Sequence, residues 1–210
     1  MKISTVAGVS IGTALLAGAL GCAQGPQRTA IPHSTESIAG TGEGQKVAVR
    51  GRAIDLAGSA LKVGDRLPAI TVTGTNMAPV DLQANGGKVR VLNIVPSLDT
   101  ATCEEQTHEL SETNEGLDQR VELVTISMDL PFAQRRFAKE AKISNVTFLS
   151  DYRGGSFGKG TGLLQKQSQL LARAVLVVDK NNVIRHMQIV PDMSTLPDLQ
   201  TAFKVARGLL

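Results

Sequence analysis

Val91-Leu92-Asn93-Ile94-Val95-Pro96-Ser97-Leu98-Asp99-Thr100-Ala101-Thr102-Cys103-Glu104-Glu105 joins two kinds of local structure. From Val89 to Val95 the side chains are nearly all apolar and many are β-branched, the pattern of a strand covered on both faces. Pro96 stops that strand because it has no N–H for the ladder. Beyond it, Thr102 with Glu105 three residues later forms a capping-box pattern, and Asp99 is the alternative cap. Either cap puts Cys103 in the first turn of a helix, just past the carboxyl end of a buried strand. Reactive groups in open α/β sheets collect at such ends.

Other elements follow on both sides. Val47 to Leu56 alternates loosely around Gly51 and predicts an N-terminal β-hairpin, and Ala69 to Thr73 predicts a short strand. The helix from Cys103 extends to about Leu117 on a thin apolar stripe, chiefly Leu110 and Leu117. Val121 to Ile126 is a second buried strand, Phe132 to Ala141 a helix with Phe132, Arg136 and Phe137 at helical spacing, and Val146 to Leu149 a short strand. Ala174 to Val178 turns through Lys180-Asn181-Asn182 into Val183 to Val190, an antiparallel hairpin. Leu199 to Leu210 is a closing helix with Phe203, Val205 and Ala206 as packing candidates. Strands alternating with helices imply an α/β fold with a central mixed sheet flanked by helices. The closing hairpin and helix make the arrangement thioredoxin-like.

A cysteine in a first helical turn meets unpaired backbone N–H groups and the positive end of the helix dipole. Both favour the thiolate, which is the nucleophile. Glu104, Glu105 and burial oppose ionisation, so a nearby cation is wanted.

These residues carry a resemblance. Pro96, Thr100 and Cys103 match the peroxiredoxin signature Pro-x-x-x-Thr/Ser-x-x-Cys. Val91 to Thr100, Asp129-Leu130-Pro131-Phe132-Ala133-Gln134 and Ala172-Arg173-Ala174-Val175 are similar to the thiol peroxidase subfamily, in order and at compatible spacing. The resemblance spans residues 46–210. It implies a thiol peroxidase acting on hydrogen peroxide or organic hydroperoxides. Cys103 would be the peroxidatic thiol. Arg173 would favour the thiolate and orient the peroxide, Thr100 would hydrogen-bond it, and Pro96 would shield the sulfur. No cofactor is implied, an external thiol reductant is, and a homodimer is suggested. The subfamily's resolving cysteine would fall after Arg135-Arg136-Phe137, where this chain has Ala138. That departure implies a one-cysteine mechanism with a thioredoxin-like or small-thiol reductant. It also opens two other readings: a redox sensor oxidised once and read by a partner, or an inert envelope lipoprotein on the same scaffold.

The N-terminal region reads differently. Lys2 precedes an uncharged stretch, Ile3 to Gly21, that fits a secretory signal over residues 1–21. It ends Gly18-Ala19-Leu20-Gly21-Cys22. A small residue before Cys22 resembles a bacterial lipobox, with Ala19 where Leu is usual, and implies lipidation of Cys22 and a membrane anchor. Ala19-Leu20-Gly21 also satisfies ordinary signal cleavage, so both readings stand. Residues 22–45, rich in Gly, Pro, Ser, Thr and Gln, predict a flexible tether, leaving 46–210 as the domain.

Composition narrows the function classes. Hydrophobic residues at 42% and charged residues at 20% are those of a globular domain, with a core of aliphatic residues, since there is no Trp and one Tyr. A net charge of +3 with dispersed Lys and Arg argues against nucleic acid. Arg135, Arg136, Lys139 and Lys142 read as a solvated helix face. His33, His108 and His186 are scattered and form no metal set with Cys103. The chain has no Cys-x-x-Cys, which argues against disulfide exchange.

Overall fold

The elements run β1 (His33–Ser34), β2 (Lys46–Val49), β3 (Arg52–Ala57), β4 (Thr71–Gly74), β5 (Pro79–Asp81), β6 (Arg90–Ile94), α1 (Ala101–Glu112), β7 (Glu122–Ser127), α2 (Pro131–Glu140), β8 (Thr147–Ser150), α3 (Ser156–Thr161), β9 (Leu164–Gln165), β10 (Ala174–Val178), β11 (Ile184–Ile189), β12 (Leu196–Pro197) and α4 (Leu199–Arg207). They come from a computed structural model that describes Met1 and residues 30–84 and 87–210. The signal and Cys22 lie outside the described residues. None of the described helices is long and apolar enough to cross a membrane.

Seven strands form the central sheet in the order β11-β10-β6-β7-β8-β4-β5. β6, β7 and β8 are parallel, while β10, β11, β4 and β5 pair antiparallel to their neighbours. This is the mixed, thioredoxin-like sheet expected. Side chains alternate between two buried layers. Leu92, Ile94, Val124, Ile126, Leu176 and Val178 face a layer shared with Val47, Leu56 and Phe157, so the expected β2–β3 hairpin and α3 cover that side. Val91, Leu123, Val175 and Val177 face the other layer, with Cys103 and Leu110 of α1 and Leu199, Ala202, Phe203 and Ala206 of α4.

Several expectations need correction. α1 stops at Glu112, short of Leu117, because Glu115 and Gly116 take positive φ values of 53° and 76° and turn the chain into a 3-10 turn. In α2 it is Pro131 and Gln134 that are buried, whereas Phe132 is 53% exposed. α3 had no sequence signal, being short and carrying two glycines. Asp151, five residues upstream of its first residue, receives the N–H groups of Phe157 (2.8 Å) and Gly158 (2.9 Å). Gly158 sits where a Cβ would lie 2.8 Å from Leu171, so the helix packs only with glycine there.

The predicted tether must also be shortened. Ile31–Leu210 form one unit, and residues 31–45 lie against it rather than apart. β1 pairs with β12, Ile38 N–H donates to the Ile189 carbonyl (3.0 Å), and the Gln188 side chain donates to the carbonyls of Ser34 (2.6 Å) and Glu36 (3.1 Å). Buried Thr41 exchanges hydrogen bonds with Leu61, and His33 pairs with Glu109 of α1 at 2.9 Å. These contacts are mostly to backbone, which a reading of side-chain hydrophobicity does not register. Deleting residues 31–44 is expected to lower the urea midpoint of unfolding; an unchanged midpoint would show that the strap contributes no stability.

Asp198 caps α4, accepting from the Thr201 N–H (2.9 Å) and hydroxyl (2.6 Å). Burial pulls its carboxyl upward, but the donors of Thr201 and Gln200 and the nearby His186 outweigh that and hold it below its ordinary value of 3.8. A carboxyl lowered by folding stabilises above its unfolded pKa, and the contribution is lost as pH falls through the folded one. Asp198→Ala is expected to cost about 1 kcal/mol at neutral pH. In urea unfolding the parent and variant should converge in acid, below the folded pKa.

Candidate active site

The chain leaves β6 through Val95 and half-buried Pro96 into a loop that one carboxylate organises. Asp129 accepts from the Leu98 N–H (2.8 Å), the Ser97 hydroxyl (2.7 Å) and the Ser127 hydroxyl (2.7 Å). The Ser150 hydroxyl donates to the Asp129 carbonyl, and Gln134 donates to Ser127 Oγ (3.0 Å) and the Leu149 carbonyl (2.8 Å). The Asp129–Gln134 segment thus fixes the turn that launches α1.

α1 begins two residues earlier than the Thr102–Glu105 box predicted. Thr100, not Asp99 or Thr102, is the N-cap, in extended conformation and with no side-chain cap bond. Its carbonyl accepts the N–H groups of Cys103 and Glu104, both at 3.0 Å, and its exposed side chain donates to the Ser97 carbonyl at 3.1 Å. Cys103 is the third helical residue, so its expected place in the first turn holds. Its burial is complete, with 0% exposure, and it is a free cysteine.

Arg173 directly precedes β10 and is 2% exposed. Its guanidinium donates through Nη2 to Cys103 Sγ at 3.3 Å, through Nη1 to Gln106 Oε1 at 2.5 Å and the Thr102 carbonyl at 3.4 Å, and through Nε to the Met193 carbonyl at 2.9 Å. These oxygens are neutral, so they orient the cation without neutralising it. A guanidinium N–H beside sulfur interacts more strongly with thiolate than with thiol. The positive end of α1 acts in the same direction.

Sequence reasoning brought Cys103 and Arg173 forward and missed the groups between them. The buried face of α1 is Cys103, Gln106, Thr107 and Leu110, a regular helical stripe whose middle is polar. That explains the thin apolar stripe. Asn93, the one polar residue of the buried run of β6 beside Arg90, receives Gln106 Nε2 at its Oδ1 (2.5 Å). An Asn within an apolar strand, and Gln and Thr three and four residues after the cysteine, were the available signals. Ala138 lies half-buried on α2, packed against the core layer that holds Cys103.

The redoxin family description matches residues 62–203. A thiol peroxidase of Halalkalibacterium halodurans is 38% identical over 164 residues, covering 78% of this chain and 98% of its own length. One from Streptococcus pneumoniae is 39% identical over 159 residues, covering 76% and 97%. Among solved structures, a peroxiredoxin-like protein from Aquifex aeolicus superposes with a TM-score of 0.74 at 34% identity, over 80% of this chain and 99% of that one. A thiol peroxidase from Chromobacterium violaceum shares the fold, with a TM-score of 0.70 at 20% identity over 79% and 97%. The chain belongs to the redoxin family and, within it, to the thiol peroxidases.

Replacing Arg173 by Met removes the sulfur's charged donor while keeping an apolar filling. A charge-assisted hydrogen bond contributes about 1.5–3 kcal/mol, so peroxide oxidation of Cys103 is expected to slow about 10- to 100-fold. Stopped-flow oxidation of folded parent and variant checks this. Equal rates would remove Arg173 from the site.

Proposed function

We propose that this thiol-dependent peroxidase works by a one-cysteine cycle centred on Cys103. The observation that carries the reading is the buried Cys103–Arg173 pair at 3.3 Å, with the sulfur in the first turn of α1. The Cys103 thiolate attacks one peroxide oxygen. The S–O bond forms as the O–O bond breaks, and the second oxygen leaves with a proton as water or alcohol. Sulfur is oxidised to the sulfenic acid and the peroxide is reduced. Negative charge moves onto the leaving oxygen, where Arg173, the Thr100 hydroxyl and the first N–H groups of α1 would stabilise it. Pro96, half-buried at the end of β6, would limit water at the sulfur.

The sequence supports an external resolving thiol. Ala138 occupies the position of the subfamily's second cysteine, and the chain's other cysteine is Cys22. One reductant thiol condenses with the sulfenic acid, releasing water and forming a mixed disulfide. A second thiol releases Cys103 and leaves as the reductant disulfide. The reductant is a thioredoxin-like protein or a small thiol. The resemblance also supports a homodimer, for which exposed Leu130 (50%) and Phe132 (53%) offer apolar surface. The uncharged Ile3 to Gly21 stretch and the Gly21-Cys22 junction support export, with a lipid anchor on Cys22 in the bacterial envelope.

The full chain carrying Cys22→Ser leaves Cys103 as the sole thiol. One equivalent of hydrogen peroxide should add one oxygen to it, orders of magnitude faster than to free cysteine, and a small thiol should reverse the change. Oxidation no faster than that of free cysteine would overturn the peroxidase assignment of Cys103. In the unsubstituted chain, a Cys22–Cys103 disulfide formed on oxidation would replace the one-cysteine cycle. Peroxide consumption that stops after one equivalent, with thiol in excess, would favour the sensor reading.

A further inference from the structure

The polar groups around Cys103 close into a ring of hydrogen bonds that are donated outward from Arg173 and reach Cys103 from two sides. Thr107 Oγ1 donates to the Cys103 carbonyl at 2.8 Å. Asn93 Nδ2 donates to Thr107 Oγ1 at 3.4 Å and to Thr125 Oγ1 at 3.1 Å. Gln106 Nε2 donates to Asn93 Oδ1 at 2.5 Å and to the Ala174 carbonyl at 3.4 Å. Arg173 Nη1 donates to Gln106 Oε1 at 2.5 Å, and Nη2 returns to Cys103 Sγ at 3.3 Å. Asn93, Thr107, Thr125 and Gln106 are completely buried, so water does not substitute for these partners at the surface.

A side-chain amide has a donor end and an acceptor end of nearly the same shape. Gln106 could occupy its site in two orientations, and only one serves Arg173. With the amide turned over, its NH2 would face the guanidinium, donor against donor, and its oxygen would face the acceptors Asn93 Oδ1 and Ala174 O. Asn93 Oδ1, the nearer of the two acceptors, therefore holds the Gln106 NH2 on the sheet side and its oxygen toward Arg173. Asn93 is itself fixed: Thr107 has spent its proton on the Cys103 carbonyl and can only accept from Asn93. Donation starts at Arg173: one branch runs through Gln106, Asn93 and Thr107 to the Cys103 carbonyl, and the other goes directly to the sulfur.

We propose that Asn93 is a positioning residue for the oxidation of Cys103, acting by presenting an acceptor to Gln106 and so holding the Gln106 oxygen toward Arg173. Asn93 does not touch the sulfur in this arrangement. It sets where the guanidinium points, which decides how well Nη2 supports the thiolate and the departing oxygen. The inference rests on Cys103 being the thiol that peroxide oxidises.

The test compares Asn93→Leu in two backgrounds, on the full chain carrying Cys22→Ser, with hydrogen peroxide as the probe. In the parent background, Leu leaves the Gln106 NH2 only the Ala174 carbonyl at 3.4 Å, the Gln106 oxygen is held less firmly against Arg173, and oxidation of Cys103 should slow about tenfold, the effect of one lost buried hydrogen bond. In the Arg173→Met background there is no guanidinium left to position. There, Asn93→Leu should change the rate by less than about twofold. A packing role for Asn93 would slow both backgrounds alike, and that result would overturn the proposal. Asn93→Leu reacting like the parent would overturn it too. Should Leu prevent folding, Asn93→Ser is compared in the same two backgrounds, with the same expectation and the same overturning results. Slow oxidation of the parent chain itself is a separate outcome, which removes the peroxidase reading on which the inference rests.

Discussion

A guanidinium that is 2% exposed imposes demands on everything around it. A buried charge is tolerated only when its donors are met. Arg173 meets its demand from two other pieces of chain: the Met193 carbonyl on the segment before β12, and the Thr102 carbonyl, the Gln106 amide and the Cys103 sulfur on α1. The cation therefore joins β10, α1 and the 191–196 segment at one point. It also explains why a helix so poor in apolar residues packs against the sheet. The middle of its buried stripe is held by hydrogen bonds that the cation requires.

The frame of the fold was legible because it rests on apolar runs. Val89 to Val95, Val121 to Ile126 and Ala174 to Val178 are buried strands whose neighbours follow from alternation with helices; β6 and β10 fall within them, and β7 runs one residue past Ile126 to Ser127. The site was legible in its two chemical groups, Cys103 and Arg173. It was not legible in its supports. Asn93 looks like an interruption of a strand, and Gln106 and Thr107 look like the solvent face of a weak helix. Their meaning depends on a partner 13 or 67 residues away, which periodicity along one segment does not reveal. The capping box misled for a related reason. Thr102 and Glu105 have the right spacing, but the Asp129 carboxylate fixes the preceding loop so that helical geometry already starts after Thr100.

The strap over residues 31–45 failed to register for the opposite reason. Its composition is that of a linker, and most of its bonds use backbone atoms or short polar side chains. The same segment reaches Gln188, whose side-chain oxygen accepts the Asp198 N–H at 2.8 Å, and Asp198 caps α4. Ala48 exchanges backbone hydrogen bonds with Pro191 and Met193, which brings the N-terminal hairpin onto the segment whose carbonyl holds Arg173 Nε. The N-terminal part of the domain is thereby tied to the supports of the site.

Ala138 bears on how a buried sulfur can be reduced. Here α2 carries no thiol and runs unbroken from Pro131 to Glu140. Under the proposed one-cysteine cycle, an external thiol would reach the fully buried Cys103 only after its surroundings at the start of α1 rearrange. The ring of hydrogen bonds limits that rearrangement. Gln106 and Thr107 are bound to Asn93 in the sheet, so the helix is pinned from its second turn onward. Ahead of them, Thr102 is held to Arg173 only by a long bond of 3.4 Å, and Thr100 is exposed. Once sulfur carries an oxygen, it is no longer the sulfur itself that stands as the acceptor Arg173 Nη2 meets at 3.3 Å.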